Sequence, residues 1–152
     1  MFWSVFWASV HYLGILLLFG FLFAELLLWR TGISERNVRT LLVLDMAYGL
    51  SALAVLVSGI ARAGWTEKGW DFYLSNPWFH GKVTLFILIA LLSLYPTKVF
   101  MSWRKTVKAG QVPEIDPGLQ RNLRGVLVAE IHLLLLLPIL AALMARGVGM
   151  VS

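Results

Sequence analysis

Residues 125–145 read GVLVAEIHLLLLLPILAALMA, an apolar run in which only Glu130 carries a formal charge. A helix of about 20 apolar residues is long enough to cross the roughly 30 Å hydrocarbon core of a bilayer. Three more apolar runs lie at residues 3–29, 41–61 and 77–95. None of them alternates as a barrel strand does, so all four are predicted to be helices, whose backbone groups bond internally in lipid. The sequence therefore predicts an all-α integral membrane four-helix bundle, a single domain over residues 1–152.

The composition of the whole chain agrees with four membrane spans. Of its 152 residues, 59% are hydrophobic and only 14% are Asp, Glu, Lys or Arg, whereas soluble domains carry charge on about a quarter of their residues. An ordinary soluble enzyme is thereby excluded. The chain has no Cys, which excludes zinc–thiolate sites, iron–sulfur clusters and covalently attached c-type haem. Its net charge of +5 comes from basic residues between the apolar runs, so we expect the lipid bilayer, and no nucleic acid, as a partner.

The basic residues are divided unequally between the two sides of the membrane. Nine Lys and Arg lie in or beside the connectors at residues 30–40 and 96–123, and four lie on the other side. Because cytoplasmic loops carry the excess of Lys and Arg, these two connectors are predicted to be cytoplasmic. Both termini are then on the outer, periplasmic side of a multi-pass protein of the bacterial cytoplasmic (inner) membrane. The seven tryptophans, including Trp29 and Trp103, lie near span ends and are expected to anchor the helices at the interfaces.

Local signals mark the ends and faces of two helices. Asn76-Pro77 predicts an N-cap followed by a proline in the first turn of the third helix, and Pro96 is expected to help end that helix. In the second helix, small or apolar residues recur with Asp45 at three- and four-residue steps, which predicts a stripe for close helix packing. The other members of this stripe are Gly49, Ala52, Leu56 and Gly59.

Three acids lie inside the spans, where an ionisable side chain is costly and needs a partner or a cavity. They are Glu25 in the first helix, Asp45 in the second and Glu130 in the fourth, all in the predicted cytoplasmic half. Carboxylates that lie close together disfavour one another's ionisation and so favour the protonated form. A row of such acids can form a proton relay. The alternative is structural pairing with basic residues of the loops, namely Arg30, Arg39 or Arg124.

The three histidines, His11, His80 and His132, all lie within or at the edge of spans. Neutral imidazole is a common ligand of haem iron. His11 differs in depth from His80 or His132 by about 6–8 Å, at about 1.5 Å per helical residue, and helix tilt can remove this difference. Either pair, His11 with His80 in particular, is a candidate to ligate the iron of haem b, with the propionates directed toward Arg62 and Lys82. The alternative is that each histidine bonds to a neighbouring helix or a headgroup, and that Lys82 extends to the membrane surface.

Glu130 and His132 are two residues apart and so point roughly 200° apart around their helix. A helix in a four-helix bundle shows its neighbours a narrower arc than that. One of the two side chains is therefore expected to face lipid, a groove or another subunit, and we expect a homo-oligomer or a membrane redox partner.

Several short motifs carry a resemblance to known families. PWFHGKV at residues 77–83, SLYPT at 93–97, and EIH at 130–132 with Pro138 and residues 141–147 together resemble a family of uncharacterised four-span bacterial membrane proteins, a domain of unknown function, over nearly the whole chain. More distantly, His11, the Trp78-x-His80-x-Lys82 motif and Glu130 with Pro138 resemble the HemJ-type protoporphyrinogen oxidases and CopD-like membrane domains. HemJ-type proteins bind b-type haem, and the resemblance implies this role for His11 and His80. Residues 23–26 read FAEL where the HemJ-type pattern has a Pro-Arg pair, so the oxidase reaction is not implied.

Functions from different classes follow from these residues. The first is electron transfer or tetrapyrrole-linked redox chemistry through a bound haem b. The alternative is a cofactor-free membrane subunit or small proton-coupled transporter, in which Glu25, Asp45 and Glu130 move protons or hold a partner helix. A purely structural interaction protein is a third hypothesis. The sequence assigns no enzymatic reaction.

Overall fold

The computed structural model describes residues 1–148, which form four long helices and three short helical segments. The long helices are α1 (Phe2–Arg30), α2 (Glu35–Ala61), α4 (Pro77–Ser102) and α6 (Pro117–Ala145). The short segments are a π-helical turn (Arg62–Thr66) that continues α2, α3 (Trp70–Leu74) and α5 (Arg104–Lys108). All four long helices are long and apolar enough to cross a membrane. The prediction of an all-α bundle with four membrane spans is confirmed.

The four long helices form a closed square. α1 packs along α2 and α4 along α6, and contacts of α1 with α6 and of α2 with α4 complete the square. At one end, which we call the terminal end, the 62–76 connector bonds to Tyr12 in the first half of α1 and to the end of α6. At the opposite end, the loop end, α1 and α2 are joined by residues 31–34, and residues 109–116 lead into α6. The side of the membrane that each end faces stays a prediction.

Two helices begin earlier than the apolar runs predicted. α2 starts at Glu35 rather than at residue 41, because the Ser34 hydroxyl accepts a hydrogen bond from the Asn37 N–H at 3.2 Å and caps the helix. α6 starts at Pro117 rather than at residue 125, after the cap residue Asp116. Hydropathy detects only the part of a helix that lies in lipid, whereas these caps lie in polar connectors.

Proline has opposite effects at the two ends of α4. The predicted cap is confirmed, since the Asn76 side chain accepts a hydrogen bond from the Trp78 N–H at 3.0 Å and Pro77 occupies the first turn. The expectation that Pro96 ends the helix is wrong, because α4 continues to Ser102. Pro96 is fully buried. Membrane helices tolerate an internal proline where neighbouring helices satisfy or cover the freed backbone groups.

Trp29 and Trp103 are not interface anchors, which corrects the prediction for these two residues. Both are buried, and their rings stack in parallel with centroids 6.1 Å apart. Phe100 contacts both rings. These three residues, which we call the aromatic cluster, close the core near the loop end. The exposed Trp3 and Trp65 keep positions that suit an anchor in the membrane interface.

Candidate functional site

Three buried acids from three different helices lie close together in the core. Glu25 on α1 is 1% exposed, Asp45 on α2 is 8% exposed and Glu130 on α6 is 0% exposed. Each of them lies within electrostatic range of the other two. The sequence placed these residues in the same half of the bundle, and the structure brings them together. We call them the acid cluster.

Two further polar residues border the acid cluster. Thr97 on α4 donates its hydroxyl to Asp45 Oδ1 at 2.7 Å. Tyr48, nearly one turn after Asp45 on α2, is buried and lies within electrostatic range of all three acids. All four long helices therefore meet at this site. Sequence reasoning did not single out either residue, although the three-residue spacing of Tyr48 from Asp45 was a signal that both face the core.

No cation balances the acid cluster among residues 1–148. The ion pairs there are Arg39–Glu35 at 2.6 Å and Arg62–Glu67 at 3.0 Å, both at helix ends. Structural pairing of the acids with Arg30, Arg39 or Arg124, the alternative considered from the sequence, is therefore wrong. Arg39 instead bonds to Glu35, one turn earlier in its own helix.

Several oxygen atoms of the acid cluster have no hydrogen-bond partner within the described residues. They are Glu25 Oε1 and both carboxyl oxygens of Glu130, all of them buried. Buried polar side-chain atoms are bonded in the large majority of cases, and each exception calls for a physical explanation. An unsatisfied group in the core is costly to keep, so these oxygens do not contribute to the stability of the fold through hydrogen bonds.

The face of α2 that carries Asp45 differs from the predicted stripe. The buried positions of the helix recur at three- and four-residue steps and are Val38, Leu41, Asp45, Tyr48, Ser51, Val55, Ser58 and Ala61. Gly49 and Leu56 of the predicted stripe are exposed instead. Large side chains such as Tyr48 are needed to fill the centre of a four-helix bundle, which turns the glycine outward. The close approach of α1 and α2 involves Gly14 of α1, where a Cβ would lie 2.9 Å from Val55 Cγ2, and Gly59 of the predicted stripe, where a Cβ would lie 3.2 Å from His11 Cε1.

The aromatic cluster lies between the acid cluster and the loop end. Trp29 follows Glu25 by one turn on α1, and Phe100 follows Thr97 by nearly one turn on α4. Residues three or four apart share one face of a helix. The rings therefore cover the acids on the side from which water at the loop end would approach.

The structure does not bring His11 and His80 into a common site. His11 is half-buried between α1 and α2, where its Nδ1 donates to the Val55 carbonyl at 3.1 Å and lies 3.0 Å from Ser58 Oγ. His80 is exposed and its Nε2 donates to the Leu74 carbonyl at 2.8 Å. Both rings thus bond to backbone carbonyls, as the alternative from the sequence predicted.

His132 faces away from the core. It is exposed, and its Nδ1 donates to the Val128 carbonyl of its own helix at 2.7 Å. Glu130, two residues earlier, is fully buried. The expectation that one of these two side chains faces outward is confirmed, and it is the histidine.

A haem held between two of these histidines does not fit this arrangement. Of the three histidines, His11 alone lies between helices, and it bonds through Nδ1. His80 and His132 are exposed on outer surfaces. The proposed propionate partner Arg62 bonds to Glu67, and Lys82 lies near the Phe79 ring. Across residues 1–148, no three His, Asp or Glu side chains are arranged to hold a metal ion. Haem b stays a prediction that rests on the resemblance.

Comparison with known proteins identifies the family. A family model described as "Predicted membrane protein (DUF2214)" matches residues 3–149. The chain belongs to this family. As a DUF2214 member it is an integral membrane protein that lies in a lipid bilayer, and the predicted membership of an uncharacterised four-span family is confirmed. No curated protein and no solved structure matches the chain. The resemblance to HemJ-type and CopD-like proteins, and a place in the bacterial inner membrane, stay predictions.

Proposed function

We propose that the protein binds and exchanges protons inside the membrane, as a membrane subunit or as a small proton-coupled transporter. Glu25, Asp45 and Glu130 are the proton-carrying groups. The observation that carries the proposal is the acid cluster itself, which comprises three buried carboxyl groups with no cation and with oxygens that lack a partner among residues 1–148.

Desolvation explains why such a cluster holds protons. A lone carboxylate in an apolar core is costly, and several neighbouring carboxylates repel one another. A protonated carboxyl group is neutral, and its O–H donates to a neighbouring oxygen. The unpartnered oxygens of Glu25 and Glu130 are acceptors for such a bond. No hydrogen bond joins two of the acids directly in the described chain, so a proton passes from one acid to the next when the side chains rotate or when a water molecule enters between them.

The geometry favours protons over a metal ion as the bound cation. A metal ion needs several ligand atoms that converge on one point, and no such group exists within the described part of the chain. Asp45 Oδ1 already accepts the Thr97 hydroxyl. A proton, in contrast, needs one oxygen to bind and a second to which it can move.

The loop end offers the shorter route to water. Glu25 lies five residues before the end of α1, about 8 Å along the helix axis. The aromatic cluster occupies this interval, so a proton enters or leaves when these rings move or when water passes beside them. The predicted orientation makes the cytoplasm the compartment that exchanges protons with the cluster.

Proton movement by purified protein in liposomes tests the proposal. The liposomes contain a pH-sensitive dye, and a potassium gradient with valinomycin sets the membrane potential. We expect the wild type to change the internal pH when the potential is applied. Glu25→Gln and Glu130→Gln keep the side-chain volume but remove the exchangeable proton, so both are expected to abolish the change. Glu114→Gln, which alters an exposed loop acid, is the matched control and should behave as the wild type.

Infrared difference spectroscopy separates proton binding from transport. The wild type should show the carbonyl stretch of a protonated carboxyl group, and Glu130→Gln should lose part of this band. A band without proton flux supports a proton-binding subunit that needs a partner. Equal flux in the wild type and Glu130→Gln, or a wild type with neither flux nor band, contradicts the proposal.

A further inference from the structure

A second feature of the molecule lies at the loop end and does not depend on the acid cluster. A cavity of about 400 Å³ opens between the end of α1 and the beginning of α6. It is lined by Trp29, Arg30, Pro117, Gln120, Arg121 and Arg124. The Trp29 indole N–H donates to the Gln120 carbonyl at 3.4 Å and so links the two helices beside the cavity. We call this the arginine cavity.

The positive charge of the arginine cavity is not balanced within the described chain. The arginines that form ion pairs in residues 1–148 are Arg39 and Arg62, and neither lines the cavity. The nearest acid along α6 is Asp116, whose carboxylate accepts the Leu119 N–H at 2.9 Å as the helix cap. All three arginines are exposed, so an anion from the solvent or from the headgroup layer can reach them.

We propose that the arginine cavity binds a phosphate-bearing anion through Arg30, Arg121 and Arg124. The planar guanidinium group matches phosphate oxygens with two parallel hydrogen bonds. The cavity volume of about 400 Å³ lies within the range of known ligand sites, about 300–1,000 Å³. The phosphate belongs to the headgroup of an acidic phospholipid or to a soluble molecule, and both sources share this chemistry.

The position of the cavity favours the headgroup of a lipid. Trp29 and Arg30 end α1, and Arg124 directly precedes the apolar run of α6. The three arginines are thus at the level where a membrane span meets the headgroups. Basic pockets between membrane helices on the cytoplasmic side bind acidic headgroups, and the predicted orientation places the loop end on that side.

Titration of delipidated protein in a neutral detergent tests the proposal. The probes are short-chain phosphatidylglycerol, short-chain phosphatidylcholine, and sodium phosphate against sodium chloride at equal ionic strength. The double variant Arg121→Gln/Arg124→Gln removes two charges from the cavity. The control Arg36→Gln/Arg104→Gln removes two exposed charges from the same end, outside the cavity. Size-exclusion profiles and circular dichroism establish that both variants fold.

We expect phosphatidylglycerol to bind the wild type in preference to phosphatidylcholine. The cavity variant should lose affinity by at least about tenfold, since hydrogen bonds to charged groups are lost, and the control variant should retain it. If sodium phosphate binds the wild type and loses affinity only in the cavity variant, whereas phosphatidylglycerol does not bind in this way, the site is assigned to a soluble phosphate. Equal losses in the two variants show charge attraction without a site and overturn the proposal. Binding of neither anion above its neutral or chloride reference also overturns it.

Discussion

At the scale of single residues, Glu130 links stability to function. It is fully buried and neither of its carboxyl oxygens has a partner in the described chain. Because an unsatisfied buried polar group costs about 1–3 kcal/mol, we expect Glu130→Met to raise the free energy of unfolding by this order. The measurement is thermal or denaturant unfolding in detergent. Glu114→Met, at an exposed position, should change the stability by less than about 0.5 kcal/mol. A less stable Glu130→Met would show that Glu130 makes bonds on which the fold depends.

The sequence was sufficient to find the acids but not their partners. A charged residue inside an apolar run is visible in the sequence, so the burial of Glu25, Asp45 and Glu130 could be predicted. Whether a buried acid pairs with a given arginine depends on where the helices begin. Once α2 begins at Glu35, Arg39 lies one turn from an acid of its own helix and bonds to it. The distribution of histidines over inner and outer faces depends on helix rotation, which short motifs do not determine.

At the scale of helices, Asn76 fixes the beginning of α4. Its side chain accepts the Trp78 N–H at 3.0 Å and donates to the Met144 carbonyl near the end of α6 at 3.3 Å. Loss of a cap costs about 0.5–2 kcal/mol, so Asn76→Ala should lower the free energy of unfolding by at least this order. Asn76→Ser keeps a neutral capping oxygen, although it loses the bond to Met144, and should therefore lose less than Asn76→Ala. The control is Asn122→Ala, at an exposed position of α6. Equal losses in Asn76→Ala and Asn76→Ser, measured by denaturant unfolding, would contradict a capping role.

Helix features that depend on neighbouring residues alone could be predicted from the sequence, and those that depend on packing could not. Asn76-Pro77 is a local signal, and local geometry alone is enough to satisfy it. Pro96 is also local, but its outcome was decided by packing, since the buried ring sits among neighbouring helices. Trp29 and Trp103 lie near span ends, where an indole ring can either face the membrane interface or pack against another ring in the core. Their stacking requires α1 and the end of α4 to converge at the loop end, which no single segment of sequence specifies.

At the scale of the whole molecule, both proposed sites lie toward one end. The acid cluster lies in the half of the bundle nearer the loop end, and the arginine cavity opens at that end. The two sites share α1 and α6, with Glu25 and Trp29 one turn apart. Under the two proposals, the orientation of the bundle therefore decides which compartment would supply protons to the cluster and which leaflet would supply a ligand to the cavity.

Absence of cysteine from the natural sequence makes this orientation directly measurable. Lys68→Cys introduces a thiol in the connector at the terminal end, and Gln111→Cys introduces one at the loop end, both at exposed positions. Because the loop end carries most of the basic residues, we expect it in the cytoplasm. A membrane-impermeant maleimide should then label Lys68→Cys in intact cells and Gln111→Cys only after permeabilisation. The reverse labelling pattern would show the opposite orientation of the bundle. The acid cluster would then exchange protons with the outer compartment, and the arginine cavity would face the outer leaflet.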